Sequence, residues 1–533
     1  MIDLASITKQ RIGKYTYLYE STSYRNEQGK PRNKKAKIGK IDPITNEIIF
    51  TKEYLSRNPD AIVTTPTSNP VPSEIYAYAE QFFDGVRAYG VFWFLFKITE
   101  KTGLLKVLQE AFPKMWQEIF TIACYLIVSD KPIMYCDDWL SENEWLKVGA
   151  MTSQRTSEIF AKLHENERHE FYKLWRNHMP DDEYLALDIT SISSYSKQIA
   201  DCEWGHNRDH EKLPQINLCM LYGETSRFPV YQTTYSGSLS DVTTLESTLL
   251  ELRAIVGDKI IKIVADKGFY SSKNIKFLLK RNVHFLIAMS FNNNTAKSLV
   301  AAERDTIDHL ENVIFTSGAP VRGITLKISW PGCDGEIYAH VYFDPEKAMK
   351  DRNELYGYVA KLKELAMDEP TKAKYKKEID KYLIVEYEAS GARNVTVKDK
   401  VVDKELETTG WLILLSDYLD NPQLAHETYR MKDVVEKGFW KYKNSLGLDR
   451  LRVHSDKRVA NKTFIAFVAL AIASHIHNVM RANDLYKTMT FDKLFIILAK
   501  LKTTTISGHR ILRPTTKQQR NIFELFKIPL PVG

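Results

Sequence analysis

Tyr429 to Lys443, reading YRMKDVVEKGFWKYK, sets one carboxylate among several lysines. Seven residues of α-helix make almost two full turns. Tyr429, Glu436 and Lys443 therefore share a stripe, with Lys432 close beside it. Met431, Val435, Phe439 and Tyr442 form an apolar flank suited to a core. Arg430, Lys437 and Lys441 fall on the opposite flank, pointing outward. Taken alone, the stretch reads equally as a surface helix carrying Lys–Glu pairs.

Two aspartates in matching order give the stretch a chemical meaning. YLALDIT is a short apolar, β-branched run that ends in Asp188, and KIIKIVADKGF is a buried strand that runs into Asp266. Interior strands bury both faces, so an aspartate tends to fall at a strand end, where open sheets place their ligands. Two divalent ions about 3.5–4 Å apart can clamp the attacking and leaving oxygens of a phosphodiester displacement. Magnesium wants carboxylate oxygens, water and substrate phosphate. Asp188, Asp266 and Glu436 supply the carboxylates, and nearby lysines would hold a DNA strand. Each has a plainer reading: a strand-end turn for Asp188, a turn former before Lys267-Gly268 for Asp266, and a salt-bridge partner for Glu436. Asp181 and Asp182 precede the strand and read as loop caps. Cys202, His206 and His210 lack a standard zinc spacing.

The chain is 533 residues long, with a net charge of +7 and a pI near 8.8. That length allows several domains and a sizeable core. The charge permits a polyanionic partner without requiring one. Five cysteines, with no C-x-x-C pair, argue against a disulfide framework and fit a reducing compartment. No charged-then-apolar leader opens the chain. The longest apolar run, around Phe464 to Ala473, falls short of the ~20 residues that span a bilayer. The expectation is a soluble, cytoplasmic protein with no membrane partner.

The expected fold is α/β. Residues 1–72 read as an N-terminal β unit and linker, with YTYLYESTSY as strand and the prolines of TTPTSNPVP as linker. The basic segment Lys30 to Lys40 reads as a solvated hairpin loop or as a phosphate-contacting arm. Residues 73–178 read as a helical DNA-binding domain. Ser73 is a plausible cap, and SQRTS precedes a helix EIFAKLHENERHEFYKLW. Residues 179–290 and 411–482 run strand, strand, strand, helix, strand, helix, strand, then one more strand and the Tyr429 helix. Between them, 291–410 is too long for a loop and reads as a β-rich insertion sub-domain with a charged helical region from Pro345 to Asp380. Residues 483–533 form a C-terminal tail with a basic loop at TTKQQR. After the Tyr429 helix, Arg450, Arg452, His454, Lys457, Arg458 and Lys462 make a basic stretch.

YLALDIT, IVADKGF and the spacing Tyr429-x2-Lys432-x3-Glu436-x6-Lys443 resemble the DDE transposases of bacterial insertion sequences, in the group with a Y-x2-R-x3-E-x6-K signature. SGSLSDVTTL and HSDKRVANKTFIAFVAL extend the likeness over about 184–480. The resemblance implies a ribonuclease-H-like catalytic core, a mixed sheet with flanking helices interrupted by an insertion. It also implies strand cleavage and transfer at transposon ends by two-metal phosphoryl transfer. Asp188, Asp266 and Glu436 would be catalytic and hold two Mg2+ ions, with Mn2+ as substitute. Tyr429, Lys432, Lys443, Arg450, Arg452 and Lys457 would contact DNA. The partners implied are the element's terminal inverted repeats and target DNA, met by a homodimer on paired ends and nucleoid-associated in the bacterial cytoplasm. The chain departs from the signature at Lys432, where a lysine keeps the charge of the family arginine but loses its bidentate grip. A catalytically silent DNA-binding derivative and a metal-dependent nuclease are the alternative readings.

Overall fold

The computed structural model describes residues 6–12, 15–25, 31–41, 48–57, 83–257, 259–316, 319–332, 335–367, 375–387, 393–506 and 509–532. The chain divides into one unit of residues 1–85 with 504–511 and another of 86–503 with 512–533.

In the first unit, β1 (Ser6–Ile12), β2 (Tyr15–Arg25), β3 (Pro31–Ile41) and β4 (Ile48–Phe50) form an antiparallel sheet in that order, followed by α1 (Lys52–Arg57). Leu18 and Ile38 are buried. The basic segment expected as a loop is strand β3 itself, with Lys34, Lys35 and Lys37 exposed. Lys37 Nζ lies 3.8 Å over the Tyr17 ring. The proline-rich linker and the Ser73 cap lie outside the described residues.

Phe83–Ala88 is a strand, β5, where apolar spacing predicts helix. Gly85 at φ +98° is incompatible with a helix there. Then come α2 (Gly90–Lys101), α3 (Leu104–Ala111), α4 (Trp116–Val128), α5 (Cys136–Glu142), α6 (Ser153–Lys162) and α7 (Glu165–Arg176). The single helix expected after SQRTS is two. Thr152 caps α6 by accepting from the Arg155 N–H, and a box formed by His164 and Glu167 starts α7. These helices share one continuous apolar core with the large sheet, so they do not stand as a compact unit of their own.

That sheet holds β6 (Leu185–Ser193), β7 (Gln215–Gly223), β8 (Pro229–Ser236), β9 (Lys262–Ala265), β10 (His284–Ala288), β11 (Val313–Ile314), β12 (Val321–Ser329), β13 (Glu336–Phe343) and β16 (Trp411–Ser416). Its order is β11-β12-β13-β16-β10-β9-β6-β7-β8. β6, β9 and β10 run parallel, and β7 and β8 add an antiparallel meander beside β6. The helices α8 (Asp241–Val256), α9 (Ser272–Lys280) and α10 (Asn294–Glu303) fall between these strands.

Within 291–410, β11 to β13 extend the main sheet: β13 pairs with β16 from Tyr338↔Ser416 to Phe343↔Trp411. The strands of this region are therefore not all a separate sheet, because Ala339, Val341, Ile413 and Leu415 are buried together in the main core. What remains is α11 (Pro345–Leu365), α12 (Lys376–Tyr382), the hairpin of β14 (Leu383–Tyr387) and β15 (Arg393–Val397), and α13 (Asp399–Leu406). Val359, Leu362, Ile379 and Leu383 give this part a small core of its own.

The expected Tyr429–Lys443 helix is broken. α14 (Pro422–Met431) and α15 (Asp433–Trp440) meet at Lys432, which ends one and starts the other, and a π turn follows over Lys441–Ser445. Next comes α16 (Asp456–Ala482), 27 residues whose stretch from Phe464 to Ala473 is wholly buried. It is long and apolar enough to cross a membrane, but 78% of its most apolar window is buried inside the protein. It packs on α2, α4, α6 and β8. The chain ends with α17 (Phe491–Leu498), the strands β17 (Lys502–Ile506) and β18 (His509–Leu512), and α18 (Lys517–Leu525). The basic TTKQQR, expected as a loop, is the start of α18, boxed by Thr516 and Gln519.

Candidate active site

Asp188 does not close its strand. It is the fourth of nine residues in β6, and it is not fully buried although its neighbours are. Its carboxylate accepts from the Ile189 N–H at 2.8 Å. Asp266 follows β9 directly and caps a short turn, accepting from the Gly268 N–H at 2.8 Å. β6 and β9 are parallel neighbours with Leu187 opposite Ala265. The two aspartates are thus the next residues on adjacent strands, which lie about 4.8 Å apart.

α15 lays Glu436 beside this pair. The helix packs on β6 and β7 through buried Val435, Gly438 and Phe439. Gly438 allows this close seat, since a Cβ there would stand 3.0 Å from the Tyr222 ring. The break at Lys432 changes the expected flanks. Val435, Phe439 and Tyr442 are buried as expected, whereas Met431 is 41% exposed. Lys437 points outward, but Lys441 is half-buried.

Lys432 itself is 7% exposed, and its Nζ donates to Glu436 Oε1 at 3.0 Å. Burial pulls its ammonium down, but Asp188 and Glu436 more than offset this and raise it. Burial pushes the Asp188 carboxyl up to about 6; Lys432 opposes this and Asp266 adds to it. The Tyr429 phenol is pushed up to about 12, by burial first, against Lys432, with Asp266, Glu436 and Asp188 all contributing. One half-buried phenol thus feels all three carboxylates, so Asp188, Asp266 and Glu436 lie within electrostatic reach of Tyr429 without closing on a single point.

The other basic candidates part company. Lys443 is held by Asp209 at 2.6 Å, and Arg450 is paired with Glu211. Arg452 has half its side chain exposed, 3.7 Å from Asp449, and Lys457 is exposed. Asp181 and Asp182, read as loop caps, pair with Lys259 and Lys262. Cys202 is a free thiol, and among the described residues no three His, Cys, Asp or Glu side chains are gathered as a bound ion would gather them. Residue spacing missed Arg208 and Asp241. Arg208 grips both oxygens of Asp241, and a Cβ on Gly268 would meet Asp241 and Asp266 each at 2.9 Å. The arginine therefore stands behind the Asp266 turn. Asp241 lies within SGSLSDVTTL, a signal that the sequence did carry.

Residues 179–472, more than half of the chain, match the transposase DDE domain family. The chain belongs to that family. It is accordingly a DDE transposase, an enzyme that cleaves and transfers DNA, and DNA is its partner. No curated protein matches the transposase. Among solved structures, a piggyBac transposase synaptic complex with hairpin DNA is 12% identical, with 82% of this chain and 77% of that one covered at a TM-score of 0.34. A likeness that loose transfers no geometry to the transposase.

Proposed function

We propose that Asp188, Asp266 and Glu436 are the catalytic carboxylates of this transposase and hold two Mg2+ ions, for which Mn2+ can substitute. The observation that carries the reading is the placing of Asp188 and Asp266 as successive residues on paired strands, with Glu436 bonded to Lys432, whose charge also reaches Asp188. The donors are all hard oxygens, as magnesium prefers. Burial has already raised Asp188, and Lys432 relieves the negative charge there; a divalent cation would do the same more strongly. When bound, the metal supplies charge neutralisation and Lewis acidity for an in-line displacement at phosphorus. Within the protein, Lys432 orients Glu436, the Gly268 N–H fixes Asp266 and the Ile189 N–H fixes Asp188.

The core we infer is ribonuclease-H-like. The order β8-β7-β6-β9-β10, with a three-strand meander followed by two strands parallel to its first, supports this. The part of 291–410 outside the main sheet would be the insertion. We assign the protein to the bacterial insertion-sequence group with the Y-x2-R-x3-E-x6-K signature, acting in the cytoplasm at the nucleoid as a homodimer on paired inverted repeats. Lys457 is exposed, and Arg452 is held only by an exposed pair with Asp449, so both would contact phosphates. Tyr429 and Lys432 would meet DNA at the carboxylates, whereas Lys443 and Arg450 must first leave Asp209 and Glu211.

The test mixes the protein, magnesium, a labelled duplex carrying the DNA that flanks the reading frame, and a supercoiled plasmid. The expected product joins the duplex 3′ end to the plasmid. Cleavage without joining would mark a nuclease, and binding without either would mark a silent derivative. Asp188→Asn, Asp266→Asn and Glu436→Gln should each bind DNA and yield no product. A variant that still cuts removes that residue from the set.

A further inference from the structure

On the other flank of α15 from Glu436 lies a cavity of about 230 Å³ lined by Arg227, Lys437, Lys441 and Arg481. These cations come from three elements: the turn between β7 and β8, α15 with its π turn, and the end of α16. Lys437 has an anion, Asp433 Oδ2 at 2.5 Å. Among the described residues no ion pair or side-chain hydrogen bond holds Arg227, Lys441 or Arg481. The cavity's other acid, Glu224, is 3% exposed. Burial first and Glu183 next push it up to about 9, so it is uncharged at neutral pH.

The cavity therefore carries close to three uncompensated positive charges. Arg227, Lys437 and Arg481 reach solvent at the rim of the cavity. Here Lys441 is half-buried and pulled down to about 8, by burial first and then by Arg481, Arg227 and Lys437. Gathering like charges costs free energy that a bound anion returns. The frame is also held in place. Asn478 Nδ2 donates to Ser226 O at 3.0 Å, tying the turn to α16, and Arg227 is kept at φ +55°, its N–H bonded to Gly223 O at 2.9 Å. Gly438, seated on Tyr222, fixes the helix that brings Lys437 and Lys441.

We propose that this cavity is a second phosphate-binding site, in which Arg227, Lys441 and Arg481 grip a backbone phosphate of DNA away from the scissile bond. A helix is about 10–12 Å across, so the phosphate lies within a few nucleotides of the carboxylates on the other side of α15. The site sets how far the strand continues past the active centre and in which direction. The inference rests on the transposase reading for its DNA, but not on which carboxylates do the chemistry.

The experiment compares the full chain with Arg227→Gln/Arg481→Gln and with Lys441→Met, titrating the flanking-DNA duplex across a range of salt. The double variant should lower the slope of log affinity against log salt by about 2 and Lys441→Met by about 1, with melting temperatures no lower than that of the native protein. Duplexes with single methylphosphonates on either side of the cut should weaken binding of the native protein at one or two positions, and the double variant should be insensitive there. Equal salt slopes in native and variant proteins overturn the proposal. Inorganic phosphate that raises the melting temperature of the native protein but not of the variants, with unchanged DNA slopes, assigns the cavity to free phosphate and overturns the DNA source. Asp188→Asn is run beside them. If it still cleaves, the carboxylate assignment fails while the slopes judge the cavity separately.

Discussion

A carboxylic acid held away from water inside a strand is costly unless a cation stands near it, and at Asp188 that cation is Lys432. Replacing Lys432 with Met removes the neighbour of two carboxylates at once. We expect Lys432→Met to lose about 10–100-fold in cleavage, the range typical of groups that orient a metal ligand. Lys432→Arg, which keeps the positive charge, should retain activity; single-turnover assays in magnesium decide, and an active Lys432→Met would show that the ammonium is dispensable. Glu224 gives a test that needs no DNA. Its folded value of about 9 lies above the ordinary 4.5, so the unfolded chain releases this proton first as pH rises. Its contribution to stability is intact below about pH 4 and is lost progressively up to about pH 9. Glu224→Gln should therefore stabilise the protein by about 2–3 kcal/mol at pH 7, with the gain shrinking toward zero near pH 4. Denaturant melts at both pH values measure it, and a gain independent of pH would mean that Glu224 is ionised in the fold.

The element that matters most is α15, and its seat on β7 depends on a missing side chain. Gly438→Val puts branched carbon where even a Cβ meets the Tyr222 ring at 3.0 Å. The expected cost is about 1–3 kcal/mol, with cleavage falling further than stability because Glu436 and Lys432 move with the helix. Thermal melts and cleavage rates on the same samples separate the two effects. At this scale the sequence was readable in parts. α8 supplies the helix expected after the third strand of the core, and Val435, Phe439 and Tyr442 face the core. The break at Lys432 was not readable, because the apolar repeat continues across it and no proline or glycine marks it. Met431 turns outward for that reason. β6 runs five residues beyond Asp188 because β7 pairs with it throughout, from Leu185↔Gly223 to Ser193↔Gln215, and a partner strand leaves no mark on the strand it extends.

Across the whole molecule the sheet and α16 hold one core. Leu470, in the middle of α16, is fully buried. Leu470→Asp should cost more than about 4 kcal/mol and abolish cooperative unfolding, since an unpaired charge there has no route to solvent; circular dichroism melts test it, and a stable variant would mean that α16 can leave the core. The joining of β13 to β16 was hidden from the sequence for another reason. Strand pairing across such a separation depends on which edges meet, and local patterns carry no record of that. The spread of the three proposed catalytic carboxylates also has a consequence for synthesis. Asp188 and Asp266 emerge from the ribosome well before Glu436, with all of 291–410 still to come between. A nascent or truncated chain can fold its early strands and still lack the third carboxylate. Cutting ability would then appear only after translation has passed Glu436, so that copies terminated before it are unable to nick the chromosome of the cell that makes them.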